Sequence, residues 1–358
     1  MNSKTILTML LAFSFGISNA QDEKKEFKPG GKIFGEIFGD YYYKINSTSV
    51  DSLLDGTGEY KKKAKDDNAF SLRRLYLGYE YNFSEKFSAK LMFEGDDANL
   101  ITGNKRGVNV KYYYLQWKDI LPQANLVIGA QGTPTWSGFT EKIWNYRSVE
   151  KTIMDFRKLG ISNDFGVSLN GKIAGEIVGY SFMVGNGTAQ KTEDNRNKKI
   201  YGAVNSRLLN KKLLIEIYFD NEKDNNDNAL TTIKGFIGFQ TDGFTAGVEP
   251  FQKTYYTGNN KTSAVGTTVF ARGSIIEDKL NAFARFDVYD GDTGDKDLAD
   301  IDNAYSENFI VAGLDYSPLK NISIIPNIWI NSYNKKKASL FSDKDSDITT
   351  RITFSYKF

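Results

Sequence analysis

The chain has 358 residues, with 46 Lys and Arg against 44 Asp and Glu, and it lacks both His and Cys. A formal net charge of +2 sets up no strong global field and implies no nucleic-acid partner. Without histidine, the Ser-His-Asp arrangement, its Cys-His variants and His-ligated zinc are all excluded. No GxSxG, Walker or paired-carboxylate motif stands out either, so neither an enzyme nor a bound cofactor is expected.

The first residues read as an export signal. Lys4 precedes an apolar run from Ile6 to Ile17, and Ser18-Asn19-Ala20 supplies small residues for cleavage. The run falls short of the roughly 20 residues that span a bilayer. Residues 1–20 are therefore expected to be a signal peptide, and losing Lys4 leaves a net charge of +1. Residues 21–31 form a short periplasmic segment, too short to be a plug domain. An exported chain of this length can bury enough surface to do without disulfides.

From residue 32 onward the pattern is alternation of apolar and polar residues. Strands are predicted at 32–45, 69–83, 87–96, 107–117, 124–132, 163–171, 173–185, 198–208, 212–221, 231–241, 243–253, 264–274, 279–289, 307–317, 321–331 and 347–358. Leu75, Leu77, Tyr79 and Tyr81 share one strand face, as do Leu213, Ile215, Ile217 and Phe219, and Ala282, Ala284, Phe286 and Val288. The connections alternate in length. Short ones include 84–86, 170–172, 241–243 and 317–321; long ones include 46–68, 97–106, 133–162, 186–197, 222–230, 254–263, 290–306 and 332–346. With 21 Tyr, 25 Phe, 32 Gly and only 6 Pro, this predicts one all-β domain over residues 32–358. The fold is a 16-stranded antiparallel transmembrane β-barrel with short periplasmic turns and long external loops, in contact with outer-membrane lipid. A barrel of 16 strands is wide enough to hold an aqueous channel.

The longest connection, 133–162, is predicted to fold into the lumen. Ile143, Val149, Ile153 and Phe156 give it an apolar side that could lie against the wall. Lys142, Arg147, Lys151, Arg157 and Lys158 outnumber Glu141, Glu150 and Asp155, which reads as a basic pore constriction. The other reading is an external loop with solvated charges. On the wall, strand parity turns Arg74, Lys90, Lys111, Arg207, Lys234, Arg272, Arg285 and Arg351 inward, along with Glu36, Asp40, Glu80, Glu94, Glu216, Glu249 and Asp287.

Further on, Asp290, Asp292, Asp295 and Asp297, with Asp300 and Asp302 beyond, crowd carboxylates among glycines. Such a loop could accept calcium; alternatively it is an ordinary solvated acidic loop. The last strand places Ile348, Thr350, Ile352, Phe354, Tyr356 and Phe358 on one face. An aromatic carboxy-terminus of this kind fits a closing strand read by the barrel-assembly machinery.

Ala69-Phe-Ser-Leu-Arg-Arg-Leu-Tyr-Leu-Gly-Tyr-Glu80 followed by Phe87-Ser-Ala-Lys-Leu-Met-Phe-Glu94 resembles the second and third strands of the phosphate-selective porin O and P family. Glu141, Tyr146-Arg147-Ser148 and Asp164-Phe165-Gly166-Val167 resemble that family's constriction loop and sixth strand. The resemblance implies a homotrimeric outer-membrane porin. Phosphate-specific members line the pore with a dense ladder of arginines and lysines, which this sequence does not display. The functional expectation is passive diffusion of small hydrophilic solutes with a mild preference for anions, phosphate included. The alternative is a barrel that binds or adheres through its external loops, which a lumen blocked by 133–162 would favour.

Overall fold

The computed structural model describes residues 27–358 apart from 48–49, 55–59, 63–64, 102, 104, 174, 176, 194, 225, 227, 259, 296–302, 338 and 340–342. The expected signal peptide, the start of the 21–31 segment, and Asp297, Asp300 and Asp302 lie outside the described residues. The strands are β1 Gly30–Asn46, β2 Val50–Leu54, β3 Tyr60–Lys62, β4 Asn68–Asn82, β5 Phe87–Ile101 and β6 Lys105–Leu121. They continue as β7 Ala124–Gly132, β8 Asn163–Ile173, β9 Val178–Gly185, β10 Lys199–Leu208, β11 Leu213–Lys223 and β12 Ala229–Gln240. The last are β13 Phe244–Thr257, β14 Asn260–Ile276, β15 Leu280–Asp290, β16 Tyr305–Leu319, β17 Ile322–Lys335 and β18 Asp347–Lys357. Two short helices, α1 Thr140–Trp144 and α2 Ile153–Phe156, lie in the connection between β7 and β8.

Sixteen strands close into one antiparallel barrel, in which β4 to β18 follow sequence order and β1 joins β18 to β4. The pair β2–β3 forms a separate small sheet in the first long connection. Closure satisfies every strand edge, which is what lets a sheet cross a membrane. No helix of the described residues is long and apolar enough to do so. The outer face carries Leu77, Tyr79, Ile217, Phe219, Phe286 and Val288, all exposed as the alternation predicts. Phe83, Trp117, Phe239, Phe244 and Tyr316 add an aromatic rim near the short-turn end. A soluble protein rarely exposes so large an apolar band, whereas a barrel in lipid requires one.

Three predicted boundaries shift, all because pairing outlasts the turn-forming residues. Asn170-Gly171-Lys172 is not the turn between β8 and β9. Asn170 pairs with Ser181, Gly171 with Tyr180, Lys172 with Gly179 and Ile173 with Val178, so all three predicted turn residues lie within the ladder. The predicted long loop 254–263 is mostly ladder, with Thr257 paired to Asn260. The loop 97–106 is likewise mostly strand, since β5 runs to Ile101 and β6 starts at Lys105.

The seam between first and last strand depends on Phe358. The Gly35 amide donates to the Phe358 carbonyl at 2.9 Å, and the Phe358 amide donates back to Gly35 at 3.0 Å. The Phe358 ring lies over Gly35, where a Cβ would come within 2.3 Å of it. Deleting Phe358 removes both bonds and the ring. The folded, heat-modifiable fraction should fall, and Gly35→Val should reproduce much of the loss. Normal amounts of folded barrel from both variants would mean that the inner pairs, Ile37 with Tyr356 and Gly39 with Phe354, suffice for closure.

Candidate functional site

The connection 133–162 folds into the lumen and packs on one side of it. Phe139, Ile143, Trp144, Tyr146 and Val149 are buried against Leu214, Phe236, Phe270, Phe283, Phe309, Val311 and Ile325. These wall residues belong to β11, β12 and β14 to β17, so an inward apolar patch seats the loop. The Trp144 ring meets Phe270 at 5.3 Å and Phe283 at 5.9 Å edge to face, while Tyr146 stacks on Phe283 at 4.2 Å. A second cluster joins Trp136, Ile153, Met154 and Leu159 to Phe251 and Ala264.

Wall cations then grip the loop by its backbone. Arg73 donates to the carbonyls of Ser148 and Val149, and Arg272 to Ile143 at 3.0 Å. Arg285 donates to Lys151, and Lys234 to Thr135. Carbonyls in a loop have no ladder partners, so charged donors on the wall satisfy them inside the barrel. Arg73 was not among the inward residues that parity assigned. The β1–β4 register shifts between Phe38 and Gly39, paired with Arg74 and Leu72 respectively, so Arg73 is an extra residue. This bulge turns two consecutive arginines into the lumen.

Most predicted wall cations already have partners. Arg74 bonds Glu94 at 3.0 Å and also Asp96; Lys111 bonds Glu94; Lys90 bonds Glu80 at 3.0 Å. Arg285 forks onto Asp287, and Arg351 bonds Asp40 at 2.7 Å while lying 3.5 Å from the Trp329 ring. Arg207 sits over the Phe139 ring at 5.2 Å.

In the loop itself, Arg147 holds Glu141 of α1 and Asp155 of α2, the latter at 2.7 Å, and reaches the Tyr76 hydroxyl at 3.3 Å. Burial opposes its charge, but Tyr76, Glu141 and Asp155 outweigh that and hold it well above the usual arginine value. Arg147 thus staples the two helices together. Arg157 bonds Glu307 on β16 at 2.6 Å, and Glu150 bonds Arg73 at 3.3 Å. Burial pushes the Lys151 ammonium down, with Asp155 4.0 Å away. Lys142 and Lys158 are exposed and have no ion pair among the described residues.

Three cavities surround α1. One of about 390 Å³ lies between the loop and β1, β4 and β6, bordered by Tyr76, Lys111, Tyr112, Glu141 and Arg147. A second, of about 440 Å³, lies toward β16–β18 and is bordered by Lys142, Arg147, Asp315 and Lys320. The third, of about 790 Å³, faces β6 to β10 and is also bordered by Lys142. The loop therefore packs on the β11–β17 side and leaves space along β1 to β10 and toward β16–β18.

The acidic loop after β15 is organised by a lysine. Lys336 lies 2.7 Å from Asp290 and 3.2 Å from Asp295, and it also donates to the Asp292 carbonyl. An ammonium thus stands among the oxygens proposed for calcium. Among the described residues, no group of three or more carboxylates is arranged to hold a metal ion.

No protein-family model matches the chain, and no curated protein matches it. Solved structures do. The outer membrane channel DcaP of Acinetobacter baumannii superposes with a TM-score of 0.64 at 14% identity, over 94% of this chain and 99% of that one. An anion-selective porin from Comamonas acidovorans gives 0.64 at 13% identity, over 92% and 100%. OprB of Pseudomonas putida gives 0.62 at 8% identity, over 92% and 94%. At these identities the likeness is one of fold, and that fold is the barrel of outer-membrane porins.

Proposed function

We propose that the protein is a homotrimeric outer-membrane porin through which small hydrophilic solutes diffuse passively, with a mild preference for anions. Its short turns and closing strand face the periplasm, where the barrel-assembly machinery engages the C-terminal strand. The observation that carries the reading is the one-sided seating of the 133–162 loop. It narrows the lumen and leaves cavities along the other wall, the larger of the two lined by amides, hydroxyls and charged groups. A plug that served only to close the barrel would be expected to pack all round.

Charge accounting favours anions mildly. Arg147 is outnumbered by Glu141 and Asp155, and Lys151, 4.0 Å from Asp155, offsets the extra carboxylate; Arg157 is taken by Glu307, and Glu150 by Arg73. The remaining excess rests on Lys142 and Lys158. Ammonium groups act as point charges, without the fork that binds two phosphate oxygens. They attract anions through a low-dielectric pore without holding them. The resemblance to phosphate-selective porins supports phosphate among the anions admitted, and an anion-selective neighbour of the same fold supports the sign of the preference.

The test is Lys142→Glu in a planar bilayer under a salt gradient. Lys142 is exposed and borders two cavities, so the barrel should fold normally and conductance should change little. The reversal potential should move toward cation preference. An unmoved potential would place Lys142 off the ion path. A wild-type channel that already prefers cations would end the anion reading.

A further inference from the structure

The wall of the cavity of about 790 Å³ is chemically unlike the loop side. It presents Tyr112 and Tyr114 from β6, Asn125 from β7, Asn170 from β8, Ser181 from β9 and Asn205 from β10. Asn125 pairs with Asn170 in register, and Asn170 with Ser181, so three of these groups form one row across adjacent strands. Two of the charges on the border are already engaged: Lys90 by Glu80 at 3.0 Å, and Glu216 by Lys234 at 2.8 Å.

The row is preorganised. The Ser181 hydroxyl donates to Asn170 Oδ1 at 2.5 Å, and Asn170 Nδ2 donates to Ser168 at 2.8 Å. An amide can make four hydrogen bonds, so Asn170 keeps one donor and one acceptor for a solute. Asn205 lies over Gly179, where a Cβ would come within 2.7 Å of its Oδ1, so a residue without a side chain makes room for the amide. Tyr114 and Asn205 have no side-chain hydrogen bond among the described residues.

Amides and hydroxyls each offer both donors and acceptors. An anion uses only the donors and a cation only the acceptors, whereas a sugar hydroxyl uses both. Tyrosine rings add flat apolar faces for the C–H side of a pyranose. The cavity, about 790 Å³, falls within the range of roughly 300–1,000 Å³ common for small-molecule sites. We propose that this face is a weak binding subsite for neutral polyhydroxylated solutes of monosaccharide size, an inference that rests on the porin reading. Such solutes would exchange water for wall hydrogen bonds as they pass, and Lys142 on the facing loop would still bias the traffic of ions.

The test uses the full-length protein in a planar bilayer with D-glucose as the probe. Glucose should reduce the open-channel current saturably and add current noise, beyond the effect of a polymer too large to enter at matched viscosity. Asn170→Leu and Asn205→Leu should each weaken the apparent glucose affinity at least several-fold, while the reversal potential in a salt gradient stays put. A current that falls linearly, in step with viscosity, would overturn the subsite whatever the variants do. Saturable block that both variants leave unchanged would overturn the assignment to this face. Absence of any channel current from folded wild-type barrel would instead overturn the porin reading, and the subsite with it.

Discussion

Trp144→Ala should raise single-channel conductance several-fold and make the current noisy while leaving a folded, heat-modifiable barrel. Trp144 is buried where the loop meets the wall, with ring contacts to Tyr146, Phe270 and Phe283. Its indole N–H donates to the Glu150 carbonyl at 2.8 Å, tying the end of α1 to the segment ahead of α2. Truncating a buried tryptophan costs about 3–5 kcal/mol, and this loss falls on the loop alone. The barrel keeps its ladders, which do not pass through the loop. Unchanged conductance would mean that Arg73, Arg272, Arg285 and Lys234 hold the loop without its aromatic seat. Lower conductance would mean that a loosened loop falls across the open side.

Lys234→Met should cause the largest loss of thermal stability. The Lys234 side chain is fully buried, 2.8 Å from Glu216 and 3.7 Å from Glu249, and both carboxylates are buried with it. Glu249 Oε1 already lacks a hydrogen bond among the described residues. Removing the shared cation leaves two buried negative charges facing each other, a loss of about 3–5 kcal/mol. Replacing all three groups together, as Lys234→Met with Glu216→Gln and Glu249→Gln, should recover much of it. The measurement is the temperature at which the folded band disappears in heat-modifiability gels. If Lys234→Met melts like wild type, water must reach the carboxylates from the neighbouring cavity, which Glu216 borders.

The barrel was readable because its two signals are local. Period-two alternation sets each strand face, and turn-forming residues recur at the short connections. Where the reading slipped, at Asn170-Gly171-Lys172 and at 254–263, local turn chemistry was outweighed by pairing with the next strand, which no short window contains. Arg73 was missed for a related reason. Strict alternation has no place for an extra residue, so a bulge is invisible until the partner strand is known.

The site was less legible. The inward patch of Leu214, Phe236, Phe270, Phe283, Phe309, Val311 and Ile325 runs against the rule that a pore wall is polar, and it makes sense only once the loop rests on it. The basic excess of 133–162 was read correctly as a composition, yet the partners that compensate Arg147 and Arg157 are matters of three-dimensional contact. The same holds for the acidic loop, where Lys336 comes from a different hairpin than Asp290. A run of Asn, Ser and Tyr scattered over five strands carries no motif at all.

The grip on the loop has a consequence for how the channel could be altered. Four wall cations hold carbonyl oxygens, and every residue has one. The grip is therefore indifferent to the identity of the residues it holds. Gly138, whose missing side chain would meet nothing within 4 Å, and the exposed Lys142 lie on the free side of the same loop. A library randomised at those two positions should retain folding and loop placement while its members differ widely in which solutes they admit. The barrel thus behaves as a holder with an exchangeable insert, and its filter can be rewritten without redesigning its frame.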